Sequence, residues 1–442
     1  MKRRKAKVSR RKFLAGAAAA FAGTLILPKN VFGANDKLNV AFIGVGGKGE
    51  GAVNSVKNIG ENIVAFCDVD DKRAEKPYTQ NPDVPRMRDY RNMLDAGSKS
   101  IDAVVISTPD HHHFPAAMLA MSMKKHVYVE KPMAHSITEV RAMTEAAKRY
   151  GVVSQMGNQG HSNAGPYLVE QWLKEGILGE VRTVEAWTNR PIWPQGMAAF
   201  TATDYPPPTL DWDLWLGPRS SRDYIPGLHP FSWRAYYEFG CGALGDMGCH
   251  VFDLPYYALG LGYPTKITAE VKTLSEVAYP ASSKVTYEFP ARGDKPPVTF
   301  IWRDGKGNLP PRPKDIEPER KIDEMGGSFL LGSKATLMSD TYGSSVRIVP
   351  ETKMQELAPS LSKLAKKPTG HMQNFINACK GIEPAHSTFE YAGQLTEMVL
   401  LGAIAQRVGG EIVYDTDKRE ITNNEQANKL IAGYKPRDGW SF

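Results

Sequence analysis

The chain has 442 residues, of which 42% are hydrophobic, 10% aromatic and 23% charged, which fits a globular protein of about two domains and excludes a disordered, collagenous or disulfide-framework chain. Its 55 Lys+Arg against 48 Asp+Glu give a formal net charge of +7, a balance that raises a nucleic-acid or membrane partner. The placement of the charge decides against both.

Residues 1–33 hold nine cations, Lys2, Arg3, Arg4, Lys5, Lys7, Arg10, Arg11, Lys12 and Lys29, and no acid. Without them 46 cations face 48 acids, about −2, and no nucleic-acid partner is expected. The apolar run from Ala15 to Leu27 is 13 residues long, too short for a bilayer core that takes about 20. A basic start, a short apolar stretch and the ending Val31-Phe32-Gly33 read as an export signal cut after Gly33. Ser9-Arg10-Arg11-Lys12-Phe13-Leu14 resembles the twin-arginine (Tat) consensus. This implies passage of the folded protein through the Tat translocase to the periplasm or another exported location, with no stable membrane anchor after cleavage.

From Leu38 to about Met156, short apolar runs alternate with helical patterns. The runs are Leu38–Gly44, Ile63–Cys67, Ala103–Ser107, Val127–Val129 and a weaker Val152–Gln155; the helical stretches are Gly49–Asn58, Asp71–Tyr78, His113–Met123 and Ser136–Tyr150. Such alternation predicts an α/β fold with a doubly wound parallel sheet, a Rossmann domain over residues 37–157. Longer strand patterns then follow at Val181–Thr188, Ile267–Leu274, Lys284–Phe289, Val298–Trp302 and Ser345–Val349, with helices at Met372–Cys379 and Tyr391–Val408. They predict a second domain over residues 158–442 with a large, mainly antiparallel open sheet. Leu309–Glu319, rich in Pro and charge, reads as an exposed loop.

Gly44-Val45-Gly46-Gly47-Lys48-Gly49 matches G-x-G-x-x-G between a strand and a helix, where glycines allow a tight turn and close approach of a pyrophosphate to the helix N-terminus. Asp68 ends the second strand, 19 positions past Gly49. A carboxylate there accepts from ribose hydroxyls and repels a 2′-phosphate, which favours NAD, while Lys72 and Arg73 keep NADP open. Ser107-Thr108-Pro109-Asp110-His111-His112-His113 follows a strand at the edge where ligands bind. Consecutive histidines point in different directions and no Cys or second His cluster supports them, so no metal is expected; one histidine is expected near the cofactor and the others as caps of the helix. Glu130-Lys131-Pro132 ends another strand, and a lysine there can donate to a substrate hydroxyl and lower its pKa, although it fits a surface lysine equally well. In Gly245-Asp246-Met247-Gly248-Cys249-His250, a helix beginning at Asp246 would set Asp246 and His250 on one face, the carboxylate raising and orienting the imidazole. Trp212, Trp215, His229, Trp233, Arg234, Tyr236 and Tyr237 form an aromatic group that suits the apolar face of a sugar, or plain packing. Cys67, Cys241, Cys249 and Cys379 show no metal spacing; a pairing of Cys241 with Cys249 stays open.

Together, Gly44–Gly49, Asp68, Thr108-Pro109-Asp110-His111, Glu130-Lys131-Pro132 and Gly245–His250 resemble the Gfo/Idh/MocA oxidoreductases, from about Lys37 onward. Trp212–Pro218 and Gly157-Asn158-Gln159-Gly160 resemble its exported bacterial branch. The resemblance implies an NAD(P)-dependent oxidoreductase acting on a sugar, cyclitol or sugar derivative, often as a homo-oligomer. It implies Lys131, Asp246 and His250 as catalytic residues. It further implies Gly44, Gly46, Gly47, Gly49, Asp68, Thr108, Pro109, His113, Glu130 and Lys131 at the cofactor and His229, Trp233 and Arg234 at the substrate. Export outside the nicotinamide pool implies a tightly held, internally recycled cofactor, and with it a second reading: a glycoside hydrolase or epimerase that oxidises its sugar transiently. A sugar-binding protein with a vestigial nucleotide fold is a third.

Overall fold

The computed structural model describes residues 37–196 and 205–441; the export signal expected at 1–33 lies outside the described residues. The first half builds six strands, β1 (Asn39–Ile43), β2 (Asn62–Cys67), β3 (Arg86–Met87), β4 (Ala103–Ile106), β5 (His126–Val129) and β6 (Ser154–Met156), in the order β3-β2-β1-β4-β5-β6. Every neighbouring pair in it is parallel. The expected doubly wound sheet is thus present. Its runs are apolar throughout because both faces are covered: Ala41, Ile43, Val104 and Ile106 enter one core, Val40, Phe42, Ala103 and Val105 another. The strand order reverses between β1 and β4, which opens a crevice at their carboxyl ends.

The sequence reading missed β3 and the helix Tyr90–Ala96, elements of two and seven residues, too short for periodicity to register. The helix is instead marked by its cap, the Asp89 carboxylate accepting from the Arg91 N–H. The helix expected from Asp71 begins only at Glu75, because Asp70 accepts from the Lys72 N–H and holds a turn there.

The second half carries nine strands: β7 (Val181–Thr188), β8 (Lys266–Val271), β9 (Ser283–Phe289), β10 (Val298–Asp304), β11 (Gly326–Gly332), β12 (Thr336–Asp340), β13 (Val346–Val349), β14 (Gly410–Asp415) and β15 (Glu420–Ile421). They form one sheet, β13-β12-β11-β7-β10-β9-β8-β14-β15, antiparallel except for β7 beside β10. On β9 and β10, Val285, Tyr287, Phe289, Val298, Phe300 and Trp302 are buried and their neighbours less so, the period of a sheet packed on one face. Phe252 meets Phe300 and Trp302 at ring distances of 4.7 and 5.2 Å and joins this sheet to the helices Gly242–Val251 and Asp253–Leu259. β11 escaped the reading because it is glycine-rich, yet a Cβ on Gly327 would lie 2.6 Å from the Ser339 carbonyl. Helix His371–Cys379 packs back on the first sheet through Phe375, Ile376 and Cys379, and helix Phe389–Val408 lies against helix Ile137–Tyr150. Among the described residues no helix is long and apolar enough to cross a membrane.

Candidate active site

A cavity of about 770 Å³ opens where the crevice of the first sheet meets the helix Gly242–Val251. One end is the glycine turn. Gly44 sits at φ +78°, and a Cβ there would lie 2.7 Å from the Ser107 carbonyl, while one on Gly49 would run into the carbonyl of Gly44. Gly47, also at positive φ, precedes the helix Lys48–Ile59, and the Arg73 side chain lies across Gly46 and Gly47. The motif glycines therefore make the tight turn predicted of them, and they are also closely packed.

Asp68, expected at a ribose, holds the turn itself. Its carboxylate accepts the N–H of Val45 at 2.9 Å, of Gly46 at 3.1 Å and of Asp70 at 3.1 Å, and so holds the glycine turn against the second strand. Burial pushes its pKa up, and these backbone donors oppose the rise.

Across the cavity, the Lys131 ammonium donates to the Asp246 carboxylate and to its main-chain carbonyl, both at 2.6 Å. Arg234 lies 3.1 Å from the same carboxylate and 3.8 Å from Asp110, which also accepts the Cys241 N–H. Burial alone would raise the Asp246 carboxyl, but Lys131 and Arg234 outweigh it and hold the group well below the usual range. Asp110, whose burial outweighs Arg234 and Lys131, is pushed up to about 6. Two carboxylates and two cations thus interleave. Asp110 was legible only as part of its motif; its link to Arg234 joins positions 124 residues apart, and no local pattern records it.

The pairing of Asp246 with His250 is corrected. The helix begins at Gly242, Asp246 stands in its second turn, and the carboxylate faces Lys131 and Arg234. His250 packs on Tyr342, ring centroids 4.9 Å apart, and its buried Nδ1 has no hydrogen-bond partner within the protein. Burial, with Lys131, lowers its pKa well below the ordinary histidine value against the pull of Asp246. It is therefore a neutral imidazole at pH 7, not the raised one expected. Tyr342 reaches the site from the turn after β12 and carried no signal in the sequence.

Three further expectations change. His111, His112 and His113 are all buried, and none caps the helix: His111 and His112 reach the Trp215 carbonyl at 3.0 and 2.8 Å, so they tie the second half to the first. Of the three, only His112 lines the cavity. His113, expected at the cofactor, instead lies 2.8 Å from the Pro132 carbonyl and 3.0 Å from that of Thr108, bracing both ligand-edge turns from behind. His229, expected at the substrate, lies 3.0 Å from Asp70, with Asp68 and Arg73 as its other charged neighbours, at the Asp68 end of the cavity. Trp233 and Arg234 do line the cavity, beside Asp246. Of the other aromatics, Trp215 lines it, Trp212 stacks on Trp215 at 4.8 Å, and Tyr236 and Tyr237 are packing residues. All four cysteines are buried free thiols, so Cys241 and Cys249 do not pair. Among the described residues no group of His, Cys, Asp or Glu is placed to hold a metal.

The lining fits a dinucleotide. Ser107 Oγ, Thr108 Oγ1 and Glu130 Oε2 are buried without hydrogen-bond partners in the protein, all on residues that line the cavity between the glycine turn and Lys131. Glu130 is held from its other oxygen by Gln159 at 3.1 Å. Buried polar atoms left open along a glycine-rich cradle match the hydroxyl- and phosphate-bearing half of such a cofactor.

Comparison with known families agrees with this geometry. Residues 38–158 match the model of the oxidoreductase family with an NAD-binding Rossmann fold (Gfo/Idh/MocA), and residues 176–293 match the model of that family's C-terminal alpha/beta domain; together they span more than half of the chain. The chain belongs to the Gfo/Idh/MocA oxidoreductase family. Its first sheet is the NAD-binding domain of that family. This Gfo/Idh/MocA chain is 28% identical over 173 residues to levoglucosan dehydrogenase of Pseudarthrobacter phenanthrenivorans, covering 39% of the chain and 36% of the relative. It is 30% identical over 172 residues to a glycosyl hydrolase family 109 protein of Shewanella pealeana, covering 37% and 36%. The matched stretch is thus about a third of the length of either relative. Among solved structures, the WlbA dehydrogenase of Bordetella pertussis, in complex with NADH and UDP-GlcNAcA, shares the fold with a TM-score of 0.61 at 18% identity, covering 86% of this chain and 99% of that one.

Proposed function

We propose that the chain is an NAD-dependent oxidoreductase of a sugar, cyclitol or sugar derivative, holding its cofactor tightly and recycling it within the site. The observation that carries this reading is the Lys131–Asp246 contact at 2.6 Å, set in one cavity with His250, the residues of the unpartnered oxygens and the glycine turn. When bound, NAD supplies a hydride acceptor; Gly44, Gly46, Gly47, Asp68, Thr108 and Glu130 would hold it. Lys131, kept in place by Asp246, donates to the substrate oxygen and stabilises negative charge on it as its proton leaves. His250, neutral and lining the cavity beside Lys131, takes that proton. Asp246, itself fixed between Lys131 and Arg234, orients the lysine. Trp233, with Arg234 4.4 Å over its ring, offers an apolar wall to a sugar ring.

The redox-neutral alternative, cleavage or epimerisation through a transient ketone, is favoured by the likeness to a family 109 glycosyl hydrolase protein. Incubation with aryl glycosides in the absence of added NAD separates the two. Release of the aryl alcohol in many turnovers indicates the alternative, whereas a ring ketone on the intact glycoside, at most one per bound NAD, indicates net oxidation.

The twin-arginine signal supports export, and folded export lets the cofactor be loaded in the cytoplasm first. Replacing Arg10 and Arg11 by Lys should leave the protein in the cytoplasm; unchanged export would contradict the route. A homo-oligomer is part of the same proposal, with the mass in solution as its test.

A further inference from the structure

On the side of Asp68 the wall of the cavity includes a mainly aromatic set, Tyr90, His112, Leu214, Trp215 and Trp440. Its position follows from the sheet: β3 pairs with β2, the Asp68 N–H donates to the Met87 carbonyl at 3.2 Å, and Tyr90 follows three residues later. This wall therefore lies past the strand-end carboxylate, away from Lys131 and Asp246. In a dinucleotide whose pyrophosphate sits on the glycine turn and whose ribose sits at Asp68, the base extends towards it.

Trp440 arrives there from the far end of the sequence, and the route is built. The Arg437 guanidinium donates to the Asp213 carboxylate at 2.6 Å, to the Asp213 carbonyl at 2.8 Å and to the Gly217 carbonyl at 2.5 Å, and the Arg437 N–H donates to the Pro218 carbonyl at 3.0 Å. On the other side, Arg91 lies 4.1 Å over the Trp440 ring and donates to the Gly439 carbonyl at 3.2 Å. Tyr90 and His112 meet the indole edge to face at 5.9 and 5.6 Å. Segment 437–440 thus spans from the second half to the Rossmann helix Tyr90–Ala96, and its indole is buried in the cavity wall.

We propose that Trp440 is an adenine-binding residue and that segment 437–440, pinned by Arg437, slows dissociation of the cofactor. The inference rests on the NAD-dependent reading above and adds the residue that keeps the adenosine half in place. A cofactor carried through export needs slow release, and an indole wall at the base end supplies it without altering the chemistry at Lys131.

The test is stopped-flow displacement of bound NADH by excess NAD, followed by NADH fluorescence, together with binding of reduced nicotinamide mononucleotide, which lacks the adenosine half. Trp440→Ala and Arg437→Ala should each raise the NADH dissociation rate roughly tenfold, as expected for loss of one base–aromatic contact, while Trp440→Phe stays near wild type. The mononucleotide should bind all four proteins alike. Arg437 does not line the cavity, so its variant carries the test if Trp440→Ala fails to fold. Unchanged NADH dissociation in the alanine variants, or equal weakening of the mononucleotide, would overturn the proposal. Wild-type protein that binds neither nucleotide would instead overturn the functional reading, and this inference with it.

Discussion

Burial and the Lys131 charge leave His250 with a lowered pKa, which suits it to the proposed role of a base. In the proposed mechanism Lys131 and His250 keep the parts expected of them, and only Asp246, expected to orient the imidazole, orients the lysine instead. Replacing either Lys131 or His250 by Ala should cut turnover roughly a hundredfold or more, measured as kcat on whichever sugar the protein oxidises; near wild-type rates in both would remove them from the mechanism. The protonated form of His250 is the inactive one, and its pKa lies below the ordinary 6.5. The rate of sugar oxidation should therefore hold as pH falls through 6.5 and decline only below it. A pH profile of kcat/KM reads this directly, and an acid limb above 6.5 would contradict the assignment. Asp246→Ala strands the buried Lys131 ammonium and leaves Arg234 only Asp110, so thermal or urea unfolding should show a loss of about 3–5 kcal/mol in addition to the lost activity.

At the scale of elements, the motifs were legible because each sits on a strand end or a turn, where local sequence dictates geometry. The glycine turn, Thr108-Pro109, Glu130-Lys131 and the helix bearing Asp246 all fall on one cavity, as their positions in an alternating pattern implied. The roles of His113 and His229 were not legible, since both depend on which backbone comes to face them: Pro132 and Thr108 in one case, Asp70 in the other. Three consecutive histidines look like a site in a string of letters. Their imidazoles, lowered by burial to about 4 in His112 and His113, are buried links between segments. The close packing of the turn gives a sharper expectation. Gly49→Ala should cost about 1–3 kcal/mol of stability by overpacking against the Gly44 carbonyl and should weaken NADH binding in a fluorescence titration. Wild-type affinity in that variant would show that the turn yields more easily than its geometry implies.

For the whole molecule, the fold class was readable from strand–helix alternation, whereas the junction between its halves was not. Helix His371–Cys379 covers the Rossmann sheet, and Trp440 closes a cavity whose glycine turn lies near residue 45; these contacts belong to tertiary packing, which periodicity does not encode. The same junction sets the response to acid. His112 and His113, with pKa values lowered to about 4, and His371, lowered to about 3, are neutral when folded and charge more readily when unfolded. The stability they contribute is complete above about 6.5 and is lost as pH falls towards 4 and below. Asp110 and Asp304, pushed up to about 6 by burial, act in the opposite sense between about 6 and 3.8 but are fewer. Chemical denaturation should therefore show stability falling between pH 6.5 and 4 by a few kcal/mol, whereas a constant or rising stability would mean that the histidines are not buried neutral.

On the proposed reading, this cavity holds a nicotinamide dinucleotide firmly enough for it to be recycled in place. The most direct measurement is mass spectrometry of the nucleotide released when the purified protein is denatured. The account predicts NAD or NADH at close to one per chain. Protein that releases no nicotinamide nucleotide, and takes up none from millimolar NAD before denaturation, would contradict it.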